Sequence, residues 1–171
     1  MTQQAQFVAV LMGSDSDLKT MQSAVDVLEG FGVRVEVNIK SAHRTPEETR
    51  QYVQDADHRG CAVFIAGAGL AAHLAGAIAA HTMKPVIGVP MDGGPLNGFD
   101  ALLSTVQMPA GIPVACVAIG KAGAKNAGYL AAQILSLSDS ALADRVRRER
   151  DDNRAVVLAK DSELRQQRGA Q

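Results

Sequence analysis

Five runs of apolar and β-branched residues, FVAVLM (7–12), VRVEVNI (33–39), AVFIAG (62–67), PVIGVP (85–90) and VACVAIG (114–120), recur along the chain and predict five strands. The first four are almost wholly apolar or alternate only weakly. That is the pattern of strands covered on both faces, as parallel strands are when helices lie above and below them. The intervening segments carry helix signals. Asp15 or Ser16 can cap a helix to about Phe31, closed by Gly30 and Gly32. Thr45-Pro46-Glu47-Glu48 joins an N-cap, a proline at the first helical position and early acidic residues, and opens a helix to about His58. LAAHLAGAIAAH (70–81) and KNAGYLAAQILSL (125–137) are Ala-rich and suit close packing on a sheet. Strands and helices in this alternation predict an α/β fold: a three-layer αβα sandwich with a five-stranded parallel sheet and right-handed crossovers.

From about Asp139 the pattern changes. Residues 139–171 carry eight basic and seven acidic side chains and no Gly or Pro before Gly169, which predicts a long exposed helix laced with ion pairs. Leu142, Val146, Val156, Val157 and Leu158 on this helix need cover, and a neighbouring subunit would supply it. With 171 residues there is room for one domain, so 1–138 is read as the domain proper and 139–171 as a helical extension of it.

Charge and cysteine content narrow the function classes. A net charge of −1 removes the broad basic face of a nucleic-acid protein, so an anionic ligand must be held locally. The two cysteines, Cys61 and Cys116, sit inside apolar runs, where free Cys is normally a small buried hydrophobe; neither has metal-ligand spacing, and a reducing compartment fits. The start MTQQAQF lacks the basic residues and apolar stretch of a signal peptide, and no apolar run approaches a membrane span. A cytoplasmic protein with no membrane partner is expected.

In an open parallel sheet, ligands bind beyond the carboxyl ends of the strands. Strand one ends in Gly13-Ser14-Asp15-Ser16-Asp17, where a glycine permits close approach and hydroxyls and carboxylates stand at a helix start. This is either a ribose and phosphate seat or simply a capped turn. Strand two ends in Ser41-Ala42-His43-Arg44-Thr45-Pro46, which sets a titratable imidazole beside a guanidinium. Arg44 can bind phosphate bidentately, and His43 has the side chain suited to shuttling a proton near neutral pH.

Strand three leads into Gly67-Ala68-Gly69-Leu70-Ala71-Ala72, a loose form of the dinucleotide fingerprint, with Asp92 after the next strand. A flavin- or dinucleotide-binding module is therefore a competing reading, although the fingerprint normally occupies the first strand–helix turn of its fold. His73 either lines the site or is packed, while His58 and His81 read as helix-surface residues. Met91–Gly98 is a Gly-rich loop able to close over a ligand. Residues 104–113, with Pro109, Gly111 and Pro113, read as a shaped lead into strand five. A Ser–His–acid triad, G-x-S-x-G elbow, Walker P-loop and H-E-x-x-H helix are all missing from the sequence, which disfavours covalent, ATP-dependent and zinc mechanisms.

Taken together, GSDSD (13–17), SAHRTP (41–46), AGAGLAAHLAG (66–76), GGPLNGFDALLSTVQMPAGIPV (93–114) and AIGKAGAKNAGYLAAQIL (118–135) closely resemble the N5-carboxyaminoimidazole ribonucleotide mutase family of purine biosynthesis. The resemblance covers about residues 7–138. It implies a flavodoxin-like sandwich, a homo-octamer, and conversion of N5-carboxyaminoimidazole ribonucleotide to 4-carboxy-5-aminoimidazole ribonucleotide without ATP, metal or organic cofactor. His43 matches the family's catalytic histidine, whose proposed task is to protonate the exocyclic nitrogen as CO2 leaves and to take the proton from ring carbon 4 after recapture. Ser14, Asp17 and Arg44 match substrate-binding positions; Ser41, Ala68, His73 and Leu74 match neighbouring pocket positions, with Gly13 at the first loop's base. The family pattern AGAGGAAHLPG differs here at Leu70 and Ala75. Relatives that carboxylate aminoimidazole ribonucleotide directly usually carry SAHKT, so Arg44 favours the mutase branch. A functional pairing with a carbamate-forming synthetase also follows from the resemblance.

Overall fold

The computed structural model describes residues 6–169. The N-terminal residues 1–5, most of the segment read for a leader, lie outside the described residues, as do 170–171 at the end of the extension. Five parallel strands, β1 (Phe7–Met12), β2 (Arg34–Ile39), β3 (Cys61–Ala68), β4 (Val86–Pro90) and β5 (Ala115–Cys116), form one sheet in the order β2-β1-β3-β4-β5. Six helices connect and follow them: α1 (Leu18–Gly30), α2 (Pro46–His58), α3 (Leu74–Ala79), α4 (Phe99–Val106), α5 (Gly120–Ser136) and α6 (Ser140–Gly169). This is the flavodoxin-like strand order, in which the direction of strand addition switches between β1 and β3, and such sheets bind ligands in the crevice at that switch.

The central strand shows why the sheet needs two covers. All six residues of FVAVLM are buried, and their side chains alternate between the faces. Val8, Val10 and Met12 enter a core with Met21 and Leu28 of α1 and the Ala124, Ala127 and Ala131 row of α5. Phe7, Ala9 and Leu11 enter a second core with Val53 of α2 and Leu74 and Ile78 of α3. Each large side chain so buried contributes about 1.5–3 kcal/mol, so a charge at any of these positions would break the layer it enters.

Several expectations from the sequence are corrected. Strand two is not covered on both faces: it is the sheet edge, with Val37 44% and Ile39 55% exposed. Its Glu36 accepts from Arg59 Nη1 and Nη2 at 2.6 and 2.9 Å and from Tyr52 at 3.2 Å, tying the edge to α2. Strand five spans only two paired residues. Pro109 and Pro113 offer no N–H, and the chain bends into α5 at Gly120, five residues before the expected start. The tight bend depends on Gly123, since a Cβ there would fall 1.5 Å from the Ala118 carbonyl oxygen. The 70–81 helix shrinks to the single short α3, and the first helix is preceded by a 3-10 turn over Asp15–Asp17.

The sequence predicts no helix over 99–106, and the packing of α4 gives the reason. Its buried positions are the small Ala101 and the polar Thr105, whose hydroxyl donates to the Ala101 carbonyl at 2.7 Å, while Phe99, Leu103 and Val106 point outward. The inward face is small because Gly88 of β4 lies against it: a Cβ there would sit 2.4 Å from Thr105 Cγ2. The long α6 is anchored over its first third, by buried Leu142, by Val146, by Arg145 Nε donating to the Phe31 carbonyl at 2.9 Å, and by the Tyr129 hydroxyl donating to the Glu149 carboxylate. From residue 150 onward it is exposed throughout.

Candidate active site

The carboxyl ends of β1 and β3 are joined by the Gly13 N–H donating to the Gly67 carbonyl at 3.0 Å. Around this junction the loops after β1, β2, β3 and β4 enclose a cleft of about 700 Å³. Its lining includes every residue singled out from the sequence: Gly13, Ser14 and Asp17 from the first loop, Ser41, His43 and Arg44 from the second, and Ala68, His73 and Leu74 from the third.

The first loop is a turn built from its own side chains. The Ser14 hydroxyl accepts the Ser16 N–H at 3.3 Å and donates to Asp15 Oδ1 at 3.0 Å, and its carbonyl accepts the Asp17 N–H at 3.2 Å. Asp17 is half-buried, and that burial raises its carboxyl pKa against the lowering effect of hydrogen bonds from the Ser14–Ser16 turn. Gly13 needs no room for the protein itself: a Cβ there would meet nothing nearer than 4.0 Å. The space above it belongs to the cleft.

The second loop is a knot tied by hydroxyls. Thr45 Oγ1 accepts the Ser41 N–H at 2.9 Å, so Thr45 holds the loop instead of capping α2 with its side chain. The Ser41 hydroxyl accepts the Arg44 N–H at 3.1 Å and lies 3.5 Å from Arg44 Nε, and buried Thr49 donates to the Thr45 carbonyl at 2.7 Å. Arg44 Nη2 then donates to the Gly13 carbonyl at 2.8 Å, clamping the second loop to the first. Arg44 is itself exposed and lines the cleft. Ser41 thus acts on Arg44 before it can act on a ligand.

His43 Nε2 and His73 Nδ1 stand 2.8 Å apart, with the two rings nearly perpendicular at 82° and their centroids separated by 4.9 Å. Both rings are exposed on the cleft side. One nitrogen must donate and the other accept, so this contact sets the relative orientation of the two rings and leaves a second nitrogen on each. His73 therefore lines the site, which resolves the choice between lining and packing. Leu74, by contrast, is 1% exposed and belongs mainly to the core beneath the site.

The dinucleotide alternative lacks its geometry. Gly67 lies inside β3, and α3 starts only at Leu74, so no tight strand–helix turn presents N–H groups to a pyrophosphate. Among the described residues no group of three or more His, Cys, Asp and Glu is arranged to hold a metal ion. Thr20, missed in the sequence, also lines the cleft, as do Leu70 of the third loop and Met91 and Asp92 of the loop expected to close over a ligand. Thr20 carried a signal, standing three positions after Asp17 on the face where α1 meets the loop.

Comparisons with known proteins follow the same outline. The AIR carboxylase family model matches residues 7–155. The N5-carboxyaminoimidazole ribonucleotide mutase of Synechocystis sp. is 53% identical over 164 residues, covering 96% of this chain and 92% of the relative. The protein of the same name from Bacillus subtilis is 52% identical over 157 residues, covering 92% and 97%. The crystal structure of Treponema denticola PurE superposes with a TM-score of 0.84 at 31% identity, covering 93% of this chain and 98% of that one.

Proposed function

The chain belongs to the AIR carboxylase family and is an isomerase of purine biosynthesis, and we propose that His43 carries the proton for its mutase reaction. The substrate in this reading is N5-carboxyaminoimidazole ribonucleotide and the product 4-carboxy-5-aminoimidazole ribonucleotide. The His43 imidazolium protonates the exocyclic nitrogen as the N–CO2 bond breaks, giving aminoimidazole ribonucleotide and CO2. The enamine-like ring carbon 4 then attacks CO2, and the now neutral imidazole removes the proton from that carbon. One proton leaves the ring and one returns, so no co-reactant is consumed.

The observation that carries this reading is the position of His43 in the same cleft as Ser14, Asp17 and Arg44, with Arg44 bonded to Gly13 at 2.8 Å. Ser14 and Arg44 hold the phosphate, and Asp17 accepts from ribose hydroxyls. His73 holds the catalytic ring in orientation through the 2.8 Å contact. Ser41 acts by fixing Arg44. Gly13 leaves room for the nucleotide, and Ala68 and Leu74 form the floor. Holding CO2 beside the ring replaces a bimolecular recapture with a proximate one.

Assembly as a homo-octamer in the cytoplasm completes the reading. Supporting it are the exposed Phe99, Leu103 and Val106 row of α4 and the uncovered Val156, Val157, Leu158 and Leu164 of α6. Among the described residues no helix is long and apolar enough to cross a membrane. A carbamate substrate has to be made by a carbamate-forming synthetase, which is the functional partner.

The test is conversion of the carbamate ribonucleotide, followed by ultraviolet absorbance without ATP. Turnover supports the mutase; turnover only with aminoimidazole ribonucleotide and bicarbonate would instead establish direct carboxylation.

A further inference from the structure

Among the described residues the His73 ring bonds only to His43, so where that ring stands is set by the backbone that carries it. On its C-terminal side the backbone is firm. His73 directly precedes α3, its carbonyl accepts the Ala77 N–H at 2.9 Å, and Leu74 and Ile78 are buried in the core. On its N-terminal side the chain arrives through Leu70, whose φ of 55° lies in the left-handed region that suits glycine. A leucine keeps such a conformation only where its surroundings enforce it.

The hold on this side comes from α4, thirty-two residues further along the chain. The Ser104 hydroxyl accepts the Ala72 N–H at 3.0 Å and lies 3.4 Å from the Leu70 carbonyl. Its one hydrogen is directed to the Asp100 carbonyl at 2.7 Å, which leaves the oxygen free to act as an acceptor toward the loop. Ala72 is buried, and the next N–H, that of His73, turns back to the Ala71 carbonyl at 2.9 Å. His73 therefore stands between two anchors, the core under α3 and the Ser104 hydroxyl. The neighbouring Thr105 makes the same local bond, to the Ala101 carbonyl at 2.7 Å, but no bond to the loop. Ser104 is absent from the cleft lining, so it can reach the chemistry only through the residues it holds.

We propose that Ser104 is a positioning residue for the proton-transfer step: by holding the Ala72 N–H it sets where His73 stands, and His73 sets the ring of His43 across 2.8 Å. This rests on the mutase reading given above. A general acid–base group works only within hydrogen-bond reach of the atom it serves, and a displacement of about 1 Å from outside the site can cost up to about a hundredfold in rate. Ser104 touches neither phosphate nor ribose, so its loss falls on turnover and leaves binding in place.

The test is steady-state kinetics of the full chain on the carbamate ribonucleotide. Ser104→Ala puts a stronger helix former at a partly exposed helical position, so folding is retained, as a thermal melt checks. Its kcat should fall about fivefold while KM stays within about twofold. Thr105→Ala, which disturbs the same helix without touching the loop, should keep kcat within about twofold of wild type. In a His73→Asn background, Ser104→Ala should lower kcat by less than about twofold further, because residues acting through one contact are not additive. Wild-type kcat in Ser104→Ala, an equal fall in Thr105→Ala, or a full fivefold loss on top of His73→Asn would each overturn the role of Ser104 and leave the mutase reading standing. A wild-type chain that leaves the carbamate unconverted would overturn that reading and the role of Ser104 with it.

Discussion

The nitrogen–nitrogen distance of 2.8 Å between His43 and His73 ties together two loops that are thirty residues apart in sequence. A hydrogen bond of this kind fixes the plane of each ring and the tautomer of the acceptor, which leaves His43 with a defined nitrogen for the substrate. His43→Asn should fold normally and lose isomerisation by about a thousandfold or more, because one general acid–base group serves both half-reactions. His73→Asn should lower kcat by about tenfold with a smaller change in KM, since the ring it orients remains present. Steady-state kinetics on both variants check this, and near-wild-type turnover in His43→Asn would remove it from the mechanism.

Gly13 separates folding from binding. A Cβ placed there would meet only Asp17 Oδ2 and the Gly67 carbonyl, both at 4.0 Å, and its φ is not in the left-handed region, yet it borders the cleft and its carbonyl receives Arg44. Gly13→Ala should leave the melting temperature unchanged or slightly raised, by up to about 1 kcal/mol of stability, through the smaller entropy of the unfolded chain. Substrate affinity should nonetheless fall about tenfold as the methyl enters nucleotide space. A variant that melts earlier but binds normally would show that the glycine serves the turn.

Much of this architecture was legible because parallel strands buried on both faces are almost uniformly apolar, as FVAVLM is, and because polar clusters at their carboxyl ends are hard to explain by packing. The missed parts have physical reasons. In α4 the inward residues are Ala101 and Thr105 and the outward ones Phe99, Leu103 and Val106, so the usual apolar pattern is inverted. Strand β2 carries valines and an isoleucine without full burial, because an edge position cannot be read from composition. The pairing of His43 with His73, and of Ser104 with Ala72, depends on which segments the crossovers bring together, and no local pattern encodes it.

Asp17 links the site to pH-dependent stability. Its burial raises the carboxyl pKa above that of the unfolded chain, so the ionised form is disfavoured by folding. The sign follows: the favourable contribution is full below the unfolded-state value of about 3.9 and is lost as pH rises through the raised, folded value. At neutral pH the empty protein bears this cost. Asp17→Asn should therefore melt higher than wild type at pH 7, with the difference shrinking as pH falls toward the ordinary carboxylate range. Its KM should rise about tenfold or more through loss of a charged acceptor for the ribose. Melting curves at several pH values, set beside kinetics at pH 7, test both halves; a variant less stable at pH 7 would mean that Asp17 holds the loop chiefly by its hydrogen bonds.

The outer part of α6 makes the assembly testable apart from the fold. Residues 150–169 are exposed along their whole length, so their helix is not supported by the body of this chain, and most helical stability in proteins comes from tertiary packing. Val156, Val157, Leu158 and Leu164 give this stretch apolar surface that a neighbouring copy would cover. The anchors at Leu142, Val146 and Arg145 lie upstream and survive truncation. Deleting 150–171 should leave the protein folded while lowering the molar mass measured by light scattering, with helix signal lost in proportion to the residues removed. Activity per folded chain would then report whether a complete cleft needs the neighbour. An unchanged oligomer would leave the α4 row of Phe99, Leu103 and Val106 as the main contact between copies.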